Sequence, residues 1–222
     1  MKRSSAQIWE ICLIALCAGL IAFANYMVFM VVPNERVMGP VQRIFYFHVG
    51  SAIACYVSIG VVLIASLFYI ATRNIKADVI SHAAGEVGFL FCTIVMITGM
   101  IWGHAAWNTW FRWEPRLVTF LLLWLIFLAF NLLRIFGDQS RAPMHCALLG
   151  VVGAITVPLV VLSIKLLPEL AQLHPQVVDR GGLKDSSYIQ AMFLTMGALV
   201  LLQGVLIWVR ARIGFLERRP VG

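Results

Sequence analysis

Residues 102–116 read WGHAAWNTWFRWEPR and gather side chains that could hold a flat, aromatic, negatively charged ligand. Trp102, Trp107, Trp110 and Trp113 are four of the seven tryptophans in the chain, and Phe111 lies between the last two. Their rings offer faces and edges to a planar partner. Arg112 and Arg116 would stand one turn apart if the segment were helical, and guanidinium forks match carboxylates. A plainer reading competes with this one. Tryptophan collects where lipid meets water, so the same residues could form an interfacial belt, with the arginines on headgroups and Arg112 paired to Glu114.

Five histidines could ligate a metal, because neutral imidazole is the commonest metal ligand. Two of them on opposite sides of a flat slot would supply the axial pair that haem iron takes. Which of the five can meet depends on the elements that carry them.

The chain has 222 residues, 61% hydrophobic and 12% charged, where a soluble domain is nearer a quarter charged. Long apolar runs recur throughout, continuous rather than alternating, so the spans are helices and not barrel strands. Six are expected, at 11–32, 44–71, 83–101, 115–133, 144–167 and 188–209, in a single all-α domain over 1–222. The first is too long for a signal-peptide core and reads as a span. Pro115 suits the first turn of the fourth helix, having fixed φ and no N–H to leave unpaired. The Trp-rich segment 102–116 becomes a short interfacial stretch between helices three and four.

Six spans put both termini on one side. Lys2, Arg3, Arg73, Lys76, Arg134, Arg141, Arg210, Arg212, Arg218 and Arg219 lie there, against Arg36, Arg43, Arg112, Arg116, Lys165, Arg180 and Lys184 opposite. The positive-inside rule then makes the termini cytoplasmic. On this topology His48, at the start of span two, and His174, in the loop between spans five and six, share the face of the tryptophan segment. His82 and His145 open spans on the other face, where a simple interfacial role suffices. His104 lies within the segment and is expected to face solvent. Arg43 is a weaker candidate for the site. Glu86 is shallow enough to reach the interface, so no role is assigned to it.

Several classes are excluded. A net charge of +7 reports loop charge in such a chain, not a nucleic-acid partner. Cys12, Cys17, Cys55, Cys92 and Cys146 show neither CxxC nor CxxCH spacing, which excludes a dithiol redox protein and covalent c-type haem. No GxxxxGK[ST] occurs, so any ATP-derived energy comes from another subunit.

WGHAAWNTWFRWEPRLVTFLLLW, with RIFYFHVGSA before it and LAQLHPQ after it, resembles the tryptophan-rich "WWD" segment of the haem-handling proteins of cytochrome c maturation, and the six-span CcmC family above all. The resemblance implies a haem delivery protein rather than a conventional enzyme. It implies protohaem (haem b) held at the periplasmic face of the bacterial inner membrane, with His48 and His174 as axial ligands. Trp102, Trp107, Trp110, Trp113, Glu114 and Arg116 would line the haem, with Arg112 joining them as the second guanidinium of the carboxylate clamp read above. The implied partners are the haem chaperone CcmE, the small protein CcmD and the ABC-type subunits CcmA and CcmB. A CcsA-type synthase component and a membrane cytochrome b electron carrier are the alternatives. Two departures stand out: Glu114 where the family usually has Asp, and Asn108-Thr109-Trp110-Phe111 where it usually has GTWW. Glu caps a helix poorly, so the junction into span four is expected to differ.

Overall fold

The computed structural model of the chain describes residues 5–36, 38–166 and 186–218. Among these, six helices dominate: α1 (Ser5–Tyr26), α2 (Ile44–Thr72), α3 (Ile75–Trp107), α4 (Pro115–Phe136), α5 (Ala142–Leu166) and α6 (Ser186–Glu217). The described residues form no strand beyond one bridge between Glu35 and Gly39. Every helix carries a window long and apolar enough to cross a bilayer, so the chain is a multi-pass, all-α membrane protein.

α3 and α6 outrun the expected spans most, because hydropathy marks the lipid-facing length and not the hydrogen-bonded length. α3 begins at Ile75 instead of 83, where the Asn74 side chain caps it by accepting from the Lys76 N–H at 2.8 Å. It runs on to Trp107 instead of 101, which makes the first half of the tryptophan segment helical. α6 reaches Glu217 instead of 209. Arg210 and Arg212 are therefore helical residues paired to Glu86 and Glu10, and not a free basic tail. His82 likewise stands well inside α3, 3.2 Å from Glu86.

α2, α3, α4 and α5 enclose the core, built from residues such as Ile59, Val62, Phe91, Val95, Leu123, Phe127 and Val160. α6 closes it, and α1 packs against α6 on the outside. Lipid is as apolar as the core, so close approach and polar contacts must hold such helices together. Gly150 supplies one approach: a Cβ there would sit 2.7 Å from Val62 and 2.8 Å from the Ser66 hydroxyl. Ser66 bonds Ser81 at 3.0 Å between α2 and α3, and the Trp124 indole N–H donates to Thr93 at 3.0 Å between α4 and α3.

Charge clusters at one end of the bundle. Asp78 on α3 is 1% exposed and meets Arg134 of α4 and, at 2.8 Å, Arg218 of α6. About twenty-four residues of α3, some 36 Å at 1.5 Å per residue, separate this cluster from Trp102 at the other end.

Candidate ligand-binding cleft

The far end of α2, α3 and α4 opens into a cleft of roughly 1030 Å³, its mouth included. Helical periodicity explains which side chains line it. On α2 the residues are Phe45, His48, Val49, Ala52 and Tyr56, all on one face at three- and four-residue steps. On α3 they include Val95, Gly99, Trp102 and Gly103, with the same spacing. α4 adds Arg116, Leu117 and Phe120.

The tryptophan segment folds over the mouth as three pieces. α3 ends because Asn108 takes a left-handed conformation, φ 54°, and its N–H closes on the His104 carbonyl at 2.9 Å. Glycine is the usual residue at such a cap and asparagine the common substitute, which accounts for Asn108 at the position of the expected glycine. An irregular stretch follows, steadied by the Thr109 hydroxyl donating to the Phe111 carbonyl at 3.2 Å. Glu114 is extended (ψ 148°) before Pro115, as a residue preceding proline must usually be, and α4 starts at Pro115. Glu114 occupies the cap position without a side-chain capping bond, as its length leads one to expect.

This path corrects one expectation. Arg112 and Arg116 are not a turn apart on one helix, because Pro115 divides an extended strand of chain from α4. Both nevertheless line the cleft. Arg112 makes an ion pair with Glu114 at 3.2 Å, and the Glu114 side chain is buried beneath it. Arg116 makes no ion pair with a carboxylate among the described residues, and it lines the cleft together with Tyr56 and His48.

Trp102, Trp107 and Trp110 line the cleft, the first two edge to face with centroids 5.1 Å apart. The Trp102 indole nitrogen is buried with no hydrogen-bond partner among the described residues. Trp113 does not line the cleft: it is 80% exposed and packs edge-on against Phe111. His104 is also outside the cleft, and instead of standing free in solvent it lies against Trp110 with centroids 4.1 Å apart. Arg43 sits over the Phe29 ring, at 5.8 Å, and is not a cleft residue. His174 lies outside the described residues.

His48 faces the cleft from α2, and its Nδ1 lies 3.0 Å from the Thr98 hydroxyl on α3. Tyr56, Thr98 and Gly99 were not singled out in the sequence. A scan along α2 in steps of four from His48 would have reached Tyr56. The α3 residues emerge only once the register of α2 against α3 is known. In chemical terms the cleft offers an imidazole, a guanidinium with no carboxylate partner among the described residues, and three indoles in a largely apolar wall, a set suited to a planar ring carrying a metal and carboxylates.

Fold and cleft together define a polytopic helical membrane protein with an aromatic, cationic cavity at one end of its bundle. A family model described as CcmC, Heme exporter protein C, matches residues 2–221, and the chain belongs to that family. The heme exporter protein C of Bradyrhizobium diazoefficiens is 32% identical over 188 residues, 84% of this chain and 72% of that protein. That of Paracoccus denitrificans is 28% identical over 190 residues, 84% of this chain and 78% of that protein. A cytochrome c biogenesis protein CcsA from a Synechococcus strain is 35% identical over 82 residues, 36% of this chain and 26% of that protein. Membership of the family gives this chain a role in haem handling for cytochrome c biogenesis.

Proposed function

We propose that the chain holds protohaem at the periplasmic face of the inner membrane and passes it to the chaperone CcmE, with CcmD, CcmA and CcmB as the other components. The observation that carries this reading is the convergence of His48, Arg116 and the indoles of Trp102, Trp107 and Trp110 on one cleft. The haem is cargo. His48 and His174 are its axial ligands, a bis-imidazole pair that fixes the iron. Arg116 takes a propionate, and the Trp102 N–H, which has no protein partner among the described residues, is free to donate to a polar edge of the ligand. The apolar wall keeps water from the ring face. Trp113, turned outward beside the cleft, suits contact with a partner more than contact with haem.

The CcsA relative covers about a third of this chain, whereas the Bradyrhizobium and Paracoccus heme exporter proteins cover over four-fifths of it, which favours delivery over a synthase role. The test is the pyridine-haemochrome spectrum of the purified protein beside His48→Ala and His174→Ala. A low-spin band lost in both variants supports the reading. Full retention of haem by both would overturn it.

A further inference from the structure

We propose that Thr98 and Gly99 are positioning residues, a seat on α3 that fixes the tautomer and the direction of the His48 imidazole. The inference rests on the reading of His48 as an iron ligand.

Three contacts carry it. The Thr98 hydroxyl lies 2.7 Å from the Ile94 carbonyl and 3.3 Å from the Val95 carbonyl of its own helix. A carbonyl only accepts, so the hydroxyl hydrogen is spent on the backbone. The same oxygen faces His48 Nδ1 at 3.0 Å with lone pairs alone, so the imidazole must donate there from Nδ1–H. A neutral imidazole carries one N–H. Placing it on Nδ1 leaves Nε2 as the nitrogen with a lone pair, which is the state a metal ligand needs.

Gly99 governs direction. A Cβ at this position would stand 3.2 Å from His48 Cε1 and 3.7 Å from Nδ1. The ring therefore lies flush against the α3 backbone, and a methyl group at position 99 would require it to give by a few tenths of an ångström, straining its Thr98 contact. Gly99 is also a cleft residue, so its missing side chain is part of the cavity wall. Thr98 is tied to its own helix by its two backbone contacts.

A hydrogen bond that draws on Nδ1–H makes Nε2 a stronger donor to a metal and favours the more highly charged iron. Thr98→Val keeps the shape and removes the acceptor. We expect it to weaken haem binding by roughly tenfold or more, the usual cost of losing such a partner, and to raise the midpoint potential of the bound haem. Thr98→Ser keeps the oxygen and should restore both. Gly99→Ala should lower haem content and weaken the low-spin band, whereas Gly60→Ala, where an added Cβ meets nothing within 4 Å, should not.

Haem titration, redox potentiometry and size-exclusion profiles of the detergent-solubilised variants test this. A Thr98→Val protein with wild-type affinity and potential, while His48→Ala loses haem, overturns the positioning role alone. A Ser variant as impaired as Val also overturns it. Retention of the low-spin band by His48→Ala overturns the ligand reading, and this inference with it.

Discussion

Arg112 Nε lies 3.2 Å from Glu114 Oε1, pairing a cation that is 41% exposed with a carboxylate that is 4% exposed. The two partners therefore differ in what their loss does. Arg112→Ala takes a cation away from a buried carboxylate and should cost about 1–3 kcal/mol. Glu114→Gln leaves a neutral amide whose oxygen still accepts from the Arg112 guanidinium, and that 41% exposed cation keeps its contact with water. Thermal unfolding in detergent, followed by tryptophan fluorescence, should show the larger drop in Tm for Arg112→Ala. Equal drops would mean that solvent screens the pair and that burial of Glu114 is immaterial.

At the opposite end of the bundle Asp78 separates two arginines by their burial. Arg134 is 5% exposed and Arg218 is 40% exposed. Removing the buried partner leaves Asp78 desolvated with one rim contact, and Arg134→Ala should cost about 3–5 kcal/mol. The outer partner is screened, and Arg218→Ala should cost less than about 1 kcal/mol. Asp78→Asn tests the network from its centre and should lower Tm by an amount between the two. The site end lies far along α3, so haem affinity per folded molecule should be unchanged in Arg218→Ala.

How much of this was legible in the sequence varies with the kind of signal. The start of α4 was, since Pro115 at a first-turn position needs no tertiary knowledge. The meeting of His48 with the tryptophan segment was legible too, because the parity of six spans puts both at one end whatever the orientation. The division between Arg112 and Arg116 was hinted at by the same proline: a residue before proline is biased toward extended backbone, which argues against one helix holding both arginines. The extra turns of α3 and α6 were hidden because Asp78, Arg210 and Arg212 look like loop residues until their partners on other helices are known. Thr98 and Tyr56 were hidden for the same reason, being single polar groups inside apolar runs.

Trp110 and Trp113 are both exposed, at 55% and 80%, yet only Trp110 lines the cleft. Exposed aromatic side chains beside a ligand site are candidates for contact with a partner. Trp113→Ala should leave haem content unchanged and, if the proposed delivery to CcmE holds, slow transfer to that chaperone. Trp110→Ala should reduce transfer more than it reduces haem content. Trp107→Ala, which removes an inner wall, should reduce haem content itself. Haem per protein and the yield of loaded chaperone, measured on one preparation, separate the three. A Trp113→Ala protein that transfers at the wild-type rate would argue against this face as a docking surface.

Arg116 carries the most direct chemical prediction. It stands in the first turn of α4, lines the cleft and has no carboxylate paired to it among the described residues. A guanidinium held in an apolar wall without a counter-ion is poised for an anion supplied by the ligand. Charge-assisted hydrogen bonds to a carboxylate contribute about 1.5–3 kcal/mol. Arg116→Gln should therefore weaken haem binding roughly tenfold or more, since 1.4 kcal/mol is a factor of ten. Haem dimethyl ester provides the control, because esterified propionates carry no charge for Arg116 to meet. The wild type should bind the ester less well than haem, and Arg116→Gln should bind the two about equally. A variant that loses the same factor for both ligands would show that Arg116 shapes the cleft and does not hold a carboxylate.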